Sequence, residues 1–206
     1  MNLIEILGLG FGAAWTSGIN LYATVAVLGL LQRYEIAHLP GGLQVLDNPW
    51  IIGVALFLYV IEFVADKVPY VDSVWDALHT FIRVPAGALL AFAATTGMEL
   101  SPAVQIVAFL IGGSLALSTH GTKATVRAAA NTSPEPFSNW GLSLAEDVIA
   151  VGAIILAVMH PAIIIGVIII FLLLLAWILP KVIRALRRLF RSAQNFFQGR
   201  RVPAHL

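Results

Sequence analysis

Apolar segments long enough to cross a bilayer recur along this chain, with only short polar connections between them. Hydrophobic residues make up 59% of the 206 residues and charged residues 11%, whereas a soluble domain carries about 25% charged residues. In lipid an unpaired backbone group has no water to bond, so a segment of about 20 apolar residues crosses as a helix. The chain is therefore predicted to be an all-α membrane protein with about six transmembrane helices.

Polar and proline-containing breaks between the apolar segments place the six predicted helices. Ser101 followed by Pro102 is typical of a helix start, and His160-Pro161 makes a tight break before the last span. The first segment lacks a basic leader region and a cleavage site, so it is expected to be a retained helix. The second predicted helix begins after residues 48–50 and ends near residues 66–69. The other five cover residues 3–31, 76–96, 101–130, 139–159 and 161–177.

Residues 181–206 differ in composition from the single transmembrane domain predicted for residues 1–180. Arginines alternate with apolar residues there, which predicts a basic amphipathic helix lying on anionic lipid headgroups; a helix packed on a soluble partner is the alternative. The positive-inside rule then places the C-terminus in the cytoplasm, and six spans place the N-terminus there too. The arginines are Arg184, Arg187, Arg188 and Arg191.

A weak internal similarity relates the two halves of the chain. One alignment pairs Ser17 with Ser118 in the first and fourth helices, and another pairs Trp50 with Trp140. Two three-helix units have opposite orientations because three is odd, and this is the inverted-repeat plan of many transporters. The two repeats would cover residues 1–100 and 101–180.

The first and fourth predicted helices each contain a polar interruption near mid-span. A break is tolerated in a membrane only against protein or a wet cavity, which favours two broken helices facing a central site lined by Asn20, His120 and Lys123. For Gly12, Gly18, Gly112 and Gly113, taken alone, close helix packing is the favoured interpretation and a broken-helix site is the alternative. The predicted break residues are Ser17, Gly18, Ser118 and Gly121.

Ionisable residues lie inside four of the predicted spans, at a similar depth on the predicted cytoplasmic side. A charge in lipid costs several kcal/mol, so such residues indicate a functional site by default. Two interpretations fit: a structural ion-pair network, or a cytoplasm-facing vestibule that binds protons and an anion. Asp72 and Asp76 are interpreted as ordinary interfacial charges. The residues within the spans are Glu62, Asp66, His79, Arg83, Lys123, Arg127, Glu146 and Asp147.

The sequence offers little support for other classes of function. It has no cysteine, which excludes disulfides and thiolate metal sites, and it lacks the common nucleotide-binding, zinc-protease and hydrolase motifs. We therefore expect no enzyme activity, no cofactor, no metal and no nucleic-acid partner. A membrane enzyme acting on lipids is a distant alternative.

Four strings of residues carry a family resemblance. They are Trp15-Thr16-Ser17-Gly18-Ile19-Asn20-Leu21-Tyr22, Glu62-x-x-x-Asp66-Lys67-x-Pro69-x-x-Asp72, His79-x-x-x-Arg83-x-Pro85-x-Gly87 and Ser143-x-x-Glu146-Asp147. Over roughly residues 5–180, the chain resembles the bacterial membrane proteins grouped as domain of unknown function 4126. The resemblance implies a small integral protein of the bacterial inner membrane and transfers no catalytic residue.

These features predict a small inner-membrane transporter or flippase for an anionic or phosphate-bearing small molecule or lipid, with protons as a candidate coupling ion. Arg83, Lys123 and Arg127 would attract the anion, and the carboxylates would position these cations or carry protons. So small a protein is expected to form a homo-oligomer, most simply a dimer. The alternatives are an ion channel with a polar pore and a non-transporting scaffold whose charges are structural ion pairs.

Overall fold

The structure, a computed structural model, describes residues 1–68, 70–131 and 136–197. Within these ranges it contains helices and no strand. Pro69 of the family motif and the end of the predicted tail, 198–206, lie outside the described residues. The helices are α1 (Leu3–Arg33), a 3-10 helix (Gly41–Asp47), α2 (Pro49–Ala65), α3 (Val71–Thr95), α4 (Pro102–Ala130), α5 (Pro136–Met159) and α6 (Pro161–Phe197).

Five of the described helices are long and apolar enough to cross a membrane. The 3-10 helix and α2 form a pair bent by 75°, and counting this pair as one span gives six. The prediction of a multi-pass helical membrane protein is thus confirmed. The third helix begins at Val71 rather than at Asp76, because Tyr70 turns the chain with a φ of 69° and Asp72 then lies in the first helical turn.

Helix α1 is the central helix of the fold and packs against α2, α3, α4 and α5. Small residues allow these helices to approach closely. A Cβ atom on Gly18 would collide with Thr119 Oγ1 and with the carbonyl oxygen of Ala116, both on α4. A Cβ atom on Gly12 would collide with Ala157 of α5. Close packing is therefore the role that the structure gives to these two glycines.

The backbone of α1 is broken at Asn20, whose φ of −145° and ψ of 102° are those of a strand. The side chain accounts for the break, because Asn20 Oδ1 accepts a hydrogen bond of 2.9 Å from the Ala23 N–H. Asn20 is therefore the N-cap of the second half of α1. The predicted break in the first helix is confirmed, two residues after Gly18.

The predicted break in the fourth helix is wrong. Helix α4 runs without interruption from Pro102 to Ala130. Its hydroxyl side chains bond back to carbonyl oxygens one turn earlier, as Ser118 Oγ does to Ser114 at 2.7 Å, and such bonds fit within a regular helix. Gly121 has open space around it and lies on the exposed face of α4.

Hydrogen bonds at the two ends of the helix bundle show the direction of the helices. The Gly42 N–H donates to Thr96 Oγ1 at 2.7 Å, which joins the 3-10 helix after α1 to the end of α3. At the other end, Asn131 Nδ2 donates to Asp72 Oδ1 at 3.0 Å, which joins the end of α4 to the start of α3. The helices α1 to α4 thus alternate in direction, as a multi-pass arrangement requires.

The chain divides into two compact units, Met1–Ile165 and Gly166–Leu206. The second unit consists, in its described part, of helix α6 beyond Ile165. This helix continues through Pro180, so the predicted boundary between residues 180 and 181 lies inside one helix. The amphipathic character of the tail and the inverted repeat remain predictions.

Candidate functional site

Nine ionisable side chains from α2 to α5 form what we term the charge cluster in the first unit, and all of them except the partly exposed Glu146 are buried. Eight of them are joined by ion pairs, and the ninth, Asp147, lies beside them. Glu146 is the most exposed of the paired side chains, at 13%. The cluster comprises the cations Arg83, Lys123 and Arg127 and the carboxylates Glu62, Asp66, Asp72, Asp76, Glu146 and Asp147.

Arg83 is fully buried and joins three helices. Its Nη2 atom is 2.6 Å from Glu62 Oε1 on α2, and its Nη1 atom is 3.1 Å from Asp76 Oδ1 on α3. Nη1 also donates to His120 Nδ1 on α4 at 2.9 Å. Because His120 Nε2 lies 2.9 Å from the Asp76 carbonyl oxygen, it must donate there, so the geometry fits a neutral imidazole protonated on Nε2.

Lys123 lies at the centre of the cluster, with its ammonium group surrounded by oxygen atoms from four other elements of the fold. A single ammonium carries one charge and three donors, so it is shared among more carboxylates than it can neutralise. The contacts of Lys123 Nζ are Asp66 Oδ2 at 3.1 Å, Ile19 O at 3.2 Å, Glu62 Oε1 at 3.3 Å, Glu146 Oε2 at 3.4 Å and Asp76 Oδ1 at 3.7 Å.

Arg127 forms a fork with Glu146 at the most exposed edge of the cluster. Its Nε atom lies 3.1 Å from both carboxylate oxygens of Glu146, and its Nη2 atom also contacts Oε2. Nη2 is 3.0 Å from Asp66 Oδ2, and Nη1 is 3.5 Å from Asp72 Oδ2. Arg127 thereby ties α5 to the end of α2 and the start of α3.

Asn20 links the break in α1 to Asp147 of α5. Its Nδ2 atom donates to Asp147 Oδ1 at 2.9 Å, while its Oδ1 atom caps the second half of α1. The one side chain therefore fixes the backbone break and the position of a buried carboxylate.

His79 makes its hydrogen bonds outside the charge cluster. Its Nδ1 atom lies 2.8 Å from the Trp75 carbonyl oxygen, and its Nε2 atom lies 2.9 Å from the Tyr22 hydroxyl. Its ring also stacks on Trp75, with centroids 4.1 Å apart. His79 thus anchors α3 to α1 beside the cluster.

The sequence missed two members of the cluster. Asp72 and Asp76 were expected to be interfacial, but they are 0% and 1% exposed, and the interfacial interpretation is wrong. Asp76 lies seven residues, or two helical turns, before Arg83, so the two side chains lie on one face of α3. This spacing could have predicted their ion pair. Asn131, which holds Asp72, had no comparable signal.

The structure brings most of the predicted site residues together. The charged members lie together with His120 and Asn20 in the first unit, whereas Ser118 is partly buried and Gly121 is exposed on α4. In the ranges that the structure describes, no three acidic, histidine or cysteine side chains are arranged to hold a metal ion.

Comparison with known proteins identifies one family. The model of one family, described as Domain of unknown function (DUF4126), matches residues 7–181. No curated protein and no solved structure matches the chain. Because the match covers most of the chain, including both the broken helix α1 and the charge cluster, the chain belongs to the DUF4126 family.

Proposed function

We propose that this protein is a small transporter or flippase for an anionic or phosphate-bearing molecule, with the charge cluster as its substrate site. Charges within membrane helices are costly and are typical of substrate and ion pathways. The observation that carries the proposal is the fork between Arg127 and Glu146. A guanidinium held in this way by a carboxylate presents the same pair of donors to a phosphate or carboxylate of a substrate.

Glu146 is the group that a substrate anion would displace. It is the most exposed of the paired carboxylates, and its Oε2 atom lies 3.4 Å from Lys123 Nζ as well as against Arg127. An anion at this position would contact both cations. Glu146 lies on α5 and both cations lie on α4, so exchange of Glu146 for substrate would change how these helices are held together.

The break in α1 supports a site of this kind. Transporters commonly place half-helix ends and unwound carbonyls at the substrate site. Here the carbonyl oxygen of Ile19 bonds to Lys123, and the side chain of Asn20 bonds to Asp147. A change in the cluster would therefore act directly on the backbone at the break.

Location and assembly complete the proposal. An inner-membrane position with both termini in the cytoplasm agrees with the arginines of the tail, which favour anionic lipid headgroups. A dimer is proposed because so few helices barely enclose a pathway, although the charge cluster itself lies inside a single copy.

A structural scaffold is the second candidate, because one observation favours it. Arg83, Lys123 and Arg127 are at most 2% exposed at their side chains and are all paired with carboxylates. Buried pairs of this kind also occur simply to lock helices together. An ion channel remains the third candidate.

Transport assays in proteoliposomes separate the candidates. Two probes are used: uptake of radiolabelled inorganic phosphate, and flipping of a fluorescent phosphatidic acid that is followed by dithionite quenching. We expect one probe to move saturably and Arg127→Gln to abolish the movement, with the exposed Thr125→Val on α4 as the matched control. Conductance that does not saturate would indicate a channel. Movement of neither probe, by a folded protein, would reject this proposal and favour a scaffold.

A further inference from the structure

The charge cluster contains more acids than bases. Its three cations, Arg83, Lys123 and Arg127, face six carboxylates in the part of the chain that the structure describes. An ionised carboxylate buried without its own cation is strongly disfavoured, and such a group binds a proton instead. The imbalance therefore points to bound protons, and the geometry indicates which acid carries one.

Asp147 differs from the other five acids of the cluster. Each of those five lies within 4.0 Å of a cationic nitrogen, whereas no ion pair to Asp147 occurs among the described residues. Its Oδ1 atom accepts a hydrogen bond from the neutral amide of Asn20. Its Oδ2 atom is buried and has no hydrogen-bond partner, so this oxygen is the natural position for a proton.

The groups that face Asp147 act on its charge in both directions. Helix α2 contributes the acids Glu62 and Asp66, which oppose a further negative charge. The phenol of Tyr59, also on α2, interacts with Asp147 as a hydrogen-bond donor and favours the charged form. On α4 Lys123 favours ionisation, but it is shared among four other carboxylates.

Lys67, after α2, is the second cation that acts on Asp147, and it also favours ionisation. Its ammonium group is bonded elsewhere, to the Phe63 carbonyl oxygen at 3.0 Å and to Ser143 Oγ at 3.3 Å. The side chain is only partly buried, so water screens its charge. Neither cation is therefore a dedicated partner for Asp147.

We propose that Asp147 carries a bound proton in the resting protein and releases it during the working cycle. The proton sits on Oδ2, and release leaves the carboxylate charged while the proton passes to water. The charged form would bond more strongly to Asn20 and would repel Glu62 and Asp66. Since Asn20 caps the second half of α1, the proton at Asp147 is linked to the break in the backbone.

Release of this proton during the working cycle rests on the proposed function, whereas the binding of the proton to Asp147 does not. Infrared spectroscopy of the full chain in lipid nanodiscs at neutral pH tests the binding directly. We expect a carboxylic acid C=O band that shifts in deuterium oxide and with isotope-labelled aspartate, and that Asp147→Asn removes. Glu99→Gln, at an exposed acid in the loop after α3, is the control and should leave the band unchanged.

The outcomes decide between the two proposals. Absence of a protonated-aspartate band in the wild-type protein, or its persistence in Asp147→Asn, would overturn this inference even if phosphate or lipid moves. A band at Asp147 without movement of either probe would reject transport and leave the proton site in place. If Asp147→Asn does not fold, Asp147→Glu with labelled aspartate decides: a protonated band that still shifts with the aspartate label in this variant overturns the inference.

Discussion

Lys123 donates a hydrogen bond of 3.2 Å to the main-chain carbonyl oxygen of Ile19, the residue immediately before the break in α1. In a regular helix that carbonyl is the acceptor for the N–H four residues later, at Ala23. The Ala23 N–H instead meets the side chain of Asn20 at 2.9 Å. The break thus presents a backbone acceptor to the centre of the charge cluster, and the cluster and the broken helix are one structural unit.

Replacement of Lys123 by methionine is expected to destabilise the protein by about 3–5 kcal/mol, because it leaves the surrounding carboxylates without their shared cation. The loss also removes the donor to Ile19. Thermal unfolding in detergent measures the effect, and Thr125→Val on the exposed face of the same helix is the control. An unfolding midpoint equal to that of the control would contradict the central position of Lys123.

Asn20 has two roles that different substitutions separate. Asn20→Ser keeps an oxygen that caps the helix but loses the amide that bonds Asp147, whereas Asn20→Ala loses both. Loss of a cap costs about 1 kcal/mol, so Asn20→Ala is expected to have the lower unfolding midpoint of the two. Equal midpoints for the two variants would show that capping does not hold the break.

Two glycines that the sequence presented as equivalent break residues should respond in opposite ways. Gly18→Ala forces a Cβ atom into Thr119 and the Ala116 carbonyl, and overpacking of this kind costs about 1–3 kcal/mol. Gly121→Ala enters open space in a continuous helix and is expected to be neutral or stabilising by up to about 1 kcal/mol. Thermal unfolding of the matched pair checks this, and similar losses in both variants would refute the packing.

The sequence predicted the spans well because a bilayer demands long apolar segments, and it predicted the cluster because the charges lie at similar depth. It did not locate the break residue, since the polar strings in α1 and α4 look alike. Whether the helix breaks depends on the hydrogen bond that the polar side chain makes. Asn20 caps the second half of α1, whereas Ser118 bonds back to a carbonyl oxygen within α4. Asp72 was misplaced for another reason: its partners, Arg127 and Asn131, are distant in sequence.

Removal of a whole ion pair separates structural from functional roles. Arg83→Gln alone leaves Glu62 and Asp76 without this cation and is expected to cost about 3–5 kcal/mol, whereas the double variant with Glu62→Gln recovers part of that loss. A double-mutant cycle of unfolding free energies measures the recovery, and the probe assays are run on the same four proteins. If the charges serve transport, the double variant is stable but inactive. A double variant that regains stability and moves phosphate or lipid at the wild-type rate would assign the pair a purely structural role.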